Sequence, residues 1–148
     1  MFADFFKRLT APDPSPLNDA DARLALGALL VRFAKSDHVY DVREIALIDS
    51  ILASRYHLNV VEAAQLRAKC EAIEHDAPDT VRFTRAIKDA VVYDDREAVI
   101  ESFWEVVLAD GERRPDEDAL LRMVAPMLGV SDQASNMARR RVEAAREA

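Results

Sequence analysis

Two acidic pairs have the residue types and spacing best suited to chemistry in this chain. Asp37 and Glu44 stand seven positions apart, and Asp110 and Glu117 repeat that spacing within ADGERRPDEDALL, Ala109 to Leu121. Carboxylates gathered at a chain reversal can hold a hard divalent cation, for which calcium asks roughly six to eight oxygen ligands and magnesium a near-octahedral set. The first turn offers Asp37, Asp41 and Glu44, and the second offers Asp110, Glu112 and Glu117 together with carbonyls freed at a helix end. A divalent cation is the one cofactor class these residues suggest.

The same carboxylates also have a structural use. Asp-Val-Arg-Glu, from Asp41 to Glu44, has the form of a capping box, and Asp110 can accept hydrogen bonds from free N–H groups of the helix that follows it. Acids in a first helical turn gain about 0.3–1 kcal/mol from the helix dipole. An EF-hand does not fit, because Leu121 stands where the loop would end in glutamate. His38, His57 and His75 lack zinc-motif spacing, and Cys70 lies on an apolar stripe, which reads as a core thiol. No nucleophile and base are paired by order or spacing, so no enzyme is expected.

The elements that would position these acids are helices. The chain has 148 residues, half of them hydrophobic, and only three glycines. No stretch alternates apolar and polar residues long enough to make a strand, so the fold class is all-α. That length matches one domain. No apolar run approaches the roughly 18 to 20 residues of a membrane span. The start, MFADFFKRL, lacks the apolar core of a signal peptide, and the single cysteine allows no internal disulfide. The cytoplasm is the expected location. A net charge of −7 argues against nucleic acid as a general partner, and the Arg139-Arg140-Arg141 run reads instead as a complement to a helix C-terminus.

Residues 1–10 form an amphipathic helix with Phe2, Phe5, Phe6 and Leu9 on one face, and the proline-rich residues 11–18 form a linker. That face suits a protein partner or self-association, with a membrane surface as the alternative. Residues 19–148 make the main helical domain. Its second helix carries Leu26, Leu29, Leu30 and Phe33, and Gly27 leaves room there for a close helix crossing. Asp41 opens a third with Leu47, Ile48, Ile51 and Leu52, and Asn59 with Glu62 opens a fourth with Ala63, Leu66, Cys70 and Ile73. Pro78 opens a fifth, carrying Phe83, Ala86, Ile87, Ala90 and Val91. Asp94 and Glu97 form a box for a sixth with Val99, Phe103, Trp104, Val106 and Val107. A seventh begins near Pro115, turns Leu120, Met123, Val124 and Met127 inward, is distorted by Pro126 and ends at Gly129. Ser131 caps an eighth with Ala134, Ala138, Val142 and Ala145 inward.

A shift of 73 positions lays Asp37 on Asp110, Glu44 on Glu117, Ala46 on Ala119 and Leu47 on Leu120. The helix breaks coincide as well, which points to two related helix-turn-helix units. With that repeat in view, ESFWEVVLADGERRPDEDALLRMVAPMLGVS resembles the second half of TerB-like domains, the family named for bacterial tellurite resistance, and SDHVYDVREIALIDSIL resembles the first copy of the same motif. The resemblance runs from about Ala22 to Val142. It implies a compact bundle of seven to eight helices in two pseudo-symmetric halves, a bacterial metal or stress association with acidic residues as metal ligands, and no catalytic activity. His38 stands where the family tends to have glycine, and Arg113 and Arg114 replace an apolar and a small residue. The expected function is a non-enzymatic binding or scaffold module tied to metal or tellurite stress, the alternative being a membrane or protein-complex adaptor that uses the first helix.

Overall fold

The run Ala25 to Val31 is apolar throughout, so a helix formed there has no side to give to water and must be covered all round. The computed structural model describes residues 3–10, 19–35, 40–76, 84–85, 88, 93–108 and 115–147, and all of its regular structure is α-helical. The elements are α1 (Ala3–Thr10), α2 (Asp19–Lys35), α3 (Val42–Tyr56), α4 (Val60–Asp76), α5 (Tyr93–Val107), α6 (Pro115–Met127) and α7 (Asp132–Glu147). Thr84, Arg85 and Lys88 are helical where a fifth helix is expected from Pro78; Phe83, Ala86, Ile87, Ala90 and Val91 lie outside the described residues.

Ala25, Leu26, Ala28, Leu29, Leu30 and Val31 are all buried, as are Phe33 and Ala34. The sequence assigns α2 one core face; the structure buries nearly its whole girth, because α3, α4 and α5 all pack on it. The α2–α4 crossing is the most extensive, and Gly27 makes it possible. A Cβ at Gly27 would collide with Cys70 Sγ and stand 3.1 Å from Cys70 Cβ. Cys70 Sγ lies 3.7 Å from Leu24 O. Further along, Glu74 of α4 holds the end of α2, with Lys35 Nζ donating to Glu74 Oε2 at 3.0 Å and Arg32 Nη2 to Glu74 O at 3.3 Å. On another side of α2, the Phe33 ring stacks on Phe103 of α5 with centroids 4.6 Å apart. Arg67 ties α4 to α3 through Asp49 Oδ1 at 2.6 Å and bonds Glu71 Oε1 on its own helix at 3.1 Å.

Local chemistry sets the helix ends. Asn59 and Glu62 exchange side-chain and backbone bonds of 2.8 and 3.0 Å at the start of α4. Ser131 Oγ accepts from Ala134 N at 3.1 Å to open α7. α3 ends with His57 in the left-handed region at φ 56°. That conformation is uncommon for a residue with a Cβ, and the bond from Leu58 N to Ala53 O, 3.0 Å, closes the turn. α6 ends at Gly129, φ 76°, with Val130 N bonding Ala125 O and Gly129 N bonding Pro126 O, both at 2.9 Å. This is the paired closure of a Schellman turn. Pro126 therefore sits in a helix that is already closing, and Leu128 N is shared between Val124 O and Ala125 O at 3.1 Å each.

Three expectations change. α5 already includes Tyr93 and Asp94, so Asp94 is inside the helix rather than its N-cap. Met123 is 42% exposed, and Ala145 is exposed near the end of α7. Both follow apolar spacing, but they lie on helix edges that nothing described covers.

The α1 helix is held to the bundle by its aromatic face. Phe5 is buried in the common core and Phe6 packs against it, with the two rings edge to face at 5.6 Å. Phe2 and the side chain of Leu9 lie outside the described residues, as does the 11–18 linker. The described spans of α3 and α6 begin at Val42 and Pro115, those of α2 and α5 at Asp19 and Tyr93, and those of α4 and α7 at Val60 and Asp132. The two most extensive helix contacts among the described residues are α2 with α4 and α5 with α7.

The Gly27–Cys70 contact gives a specific expectation. Gly27→Ala destabilises the fold by about 1–3 kcal/mol through overpacking, which for a chain of this size lowers Tm by roughly 2–4 °C per kcal/mol. In a Cys70→Ala background the same substitution costs less, because the colliding sulfur is gone. Thermal unfolding of the four proteins checks the coupling.

Candidate functional site

The first acidic corner lies at the entry to α3. Asp41 Oδ1 accepts from Glu44 N at 3.0 Å, and Asp41 N donates to Glu44 Oε1 at 3.4 Å, so each carboxylate satisfies the other's backbone. Glu44 is buried, and Arg43 Nη2 lies 3.8 Å from Asp41 Oδ2. A divalent cation asks for more oxygen donors than this pair supplies. Among the described residues no three His, Cys, Asp or Glu side chains gather in a way that fits a metal ion. As described, Asp41 and Glu44 at this corner form a capping device. Asp37, Asp110 and Glu112 lie outside the described residues, and so do His38, Gly111, Arg113 and Arg114; Glu117 falls in the first turn of α6, with its side chain outside the described set.

Next to this corner, Tyr40 is half-buried beside Glu71, and the Lys35 ammonium stands 5.8 Å from the Tyr40 ring centroid. Burial, then Glu71, push the Tyr40 phenol well above its ordinary pKa, so it stays protonated. His57 and His75 are exposed at the ends of α3 and α4. Cys70 is buried, and burial pushes its thiol up to about 12, far from the range of a nucleophile.

Two surface regions that the sequence does not single out gather polar groups from separate helices. One is a cleft of about 380 Å³ between α5, α6 and α7, lined by Trp104, Asp118, Arg122, Asp132, Ser135 and Asn136. Trp104 Nε1 donates to the buried Ser135 Oγ at 3.1 Å, and the Arg139 guanidinium lies 5.9 Å from the indole ring. The other region runs between α3, α5 and α7 and contains Glu101 and Glu105. Arg141 Nε pairs with Glu101 Oε2 at 3.1 Å. Burial, then the Glu101 charge, push the Glu105 carboxyl above its usual range. The available signal was the i, i+4 spacing of Glu101 and Glu105 on one face of α5. Nothing in that spacing showed that α7 would bring up Arg141.

Bundled helices, capped helix ends and small polar clefts between helices define an all-α helical domain. The family described as tellurite resistance protein TerB matches residues 23–140, and the chain belongs to that family. Comparison with curated proteins and with solved structures gave no significant match. The match runs from Arg23 in α2 through α3, α4, α5 and α6 to Arg140 in α7, and it leaves α1 in front of the family segment.

Glu105 gives a pH-dependent expectation. A carboxyl whose folded pKa is raised favours the folded state while protonated, and that contribution is lost as pH rises through the folded pKa. Glu105→Gln therefore raises Tm at neutral pH. The advantage shrinks toward zero below the ordinary glutamate range, and unfolding curves taken across acid and neutral pH measure it.

Proposed function

We propose that the chain is a non-enzymatic binding or scaffold module, built from two similar helical halves, that works in the bacterial cytoplasm in a metal or tellurite stress response. The family match over residues 23–140 carries the reading. The 73-residue spacing between the starts of α3 and α6, and the parallel roles of the α2–α4 and α5–α7 contacts, support the duplicated build. Polar side chains at the described corners are used for caps and helix ties, which suits a rigid platform that presents surfaces. Because Asp41 and Glu44 are committed to each other, the cation part of the reading rests on the second corner, Asp110, Glu112 and Glu117.

A second reading rests on α1. This helix adds an aromatic face ahead of the family segment, and Phe5 now lies in the core. An adaptor role, at a membrane surface or in a protein complex, would use that face after release from the bundle. No helix among the described residues is long and apolar enough to cross a membrane.

Thermal unfolding of metal-stripped protein, alone and with millimolar calcium, magnesium, manganese or zinc, tests the cation part. A ligand that binds only the folded state adds RT ln(1 + [L]/Kd) to stability. Asp110→Ala and Asp41→Ala should each lower stability by about 1 kcal/mol as lost caps. Only Asp110→Ala should also abolish a cation-induced rise in Tm. A rise that survives Asp110→Ala, or no rise with any cation, removes the second corner from the function.

A further inference from the structure

Along α5, Ala98, Glu101, Ser102 and Glu105 fall at i, i+3, i+4 and i+7 and form the floor of a trough. Ser50, Ile51, Ser54 and Arg55 of α3 wall one stretch of it, a cleft of about 410 Å³. Leu47 with Arg141, Val142, Ala145 and Arg146 of α7 wall the other, about 360 Å³, and both stretches contain Glu101 and Glu105. The floor is smooth: beside Ala98, Ser102 turns its hydroxyl onto its own helix, donating to Ala98 O at 3.1 Å. The trough's cations are already engaged. Arg141 pairs with Glu101, Arg55 lies 5.9 Å from the Tyr56 ring centroid, and Arg146 also has a partner. Glu105 is different. It is partly buried and makes no hydrogen bond or ion pair with any described residue.

We propose that this trough receives an amphipathic helix of a protein partner, which seats an apolar side chain among Leu47, Val142 and Ala145 and pairs a lysine or arginine with Glu105. The inference rests on reading the chain as a binding module. The occupant follows from charge and shape. A helix lying in a groove presents anchors at i, i+3 and i+4, and small residues on the floor let its backbone come close. A partly desolvated carboxylate with no counter-charge is costly to hold. A partner's cation relieves that cost, whereas an acidic side chain at the same position adds to it.

A displayed library of 16-residue helical peptides, randomised along one face and selected on the full chain, tests this. The selected peptides should carry lysine or arginine three or four positions from a large apolar residue. They should shift the backbone amide resonances of residues 47–55, 98–105 and 141–146. Glu105→Gln should weaken them about tenfold or more, the equivalent of 1.4 kcal/mol per tenfold. Ser102→Arg should abolish binding, and Asp95→Asn, an exposed residue earlier on α5, should leave it unchanged. Peptides without a basic residue, affinity unaffected by Glu105→Gln, or shifts confined to the Trp104 cleft would overturn the trough while leaving the binding-module reading intact. A selection that yields no binder would count against both. Concentration-dependent dimerisation lost in Ser102→Arg would replace the partner helix with a second copy of the chain.

Discussion

The burial of α2 on every side is the constraint from which the arrangement follows. Its stretch from Ala25 to Ala34 is buried except at Arg32, which is itself tied to Glu74, so other helices must surround it. Cys70 of α4 fills the space that Gly27 opens, Phe103 of α5 meets Phe33, and Leu52 of α3 lies close to the Gly27 position. The contact that lets α4 approach α2 is also the one that seals the thiol from solvent. Packing and chemical silence at Cys70 are therefore the same fact, and a cysteine here serves as a small, polarisable hydrophobe.

Among the described residues, several carboxylates tie helices to one another or brace their own helix. Glu74 holds the end of α2, Asp49 and Glu71 hold Arg67, Glu101 holds Arg141, and Glu143 holds Arg139 one turn away. Such partly exposed pairs contribute modestly each. Carboxylates at the corners serve the backbone in the same spirit. Against that background a carboxylate with no partner stands out more in an acidic protein than it would in a sparsely charged one.

What could be read from the sequence divides along the distance between interacting residues. Caps depend on partners three or four positions away, so Asp41 with Glu44, Asn59 with Glu62, Gly129 and Ser131 were all legible. Helical periodicity gave the core faces of α3, α4, α6 and α7 for the same reason, with exceptions at Met123 and Ala145, whose spacing is right but which no described helix covers. Asp94 and Glu97 have the spacing of a box, yet α5 starts earlier. The rear of α2 was not legible, because burial all round depends on helices that arrive from distant parts of the chain. For the candidate site, the sequence offered Asp41 and Glu44 both as ligands and as a capping box, and only geometry shows their carboxylates turned to each other's backbone. The trough could not be foreseen, since Leu47, Glu105 and Val142 come from three helices with long separations between them.

Trp104 is the only tryptophan in the chain, and it is buried with its ring nitrogen bound to Ser135 and a guanidinium above its face. Both neighbours belong to α7, so the fluorescence of the whole protein reports on one seam, where α7 meets α5. Emission colour and quenching would register the peeling of the last helix while circular dichroism still recorded most of the helical content. The single indole thus makes the cooperativity of the bundle observable: coincident transitions mean that the last helix melts with the rest, and an early optical change means that it leaves first.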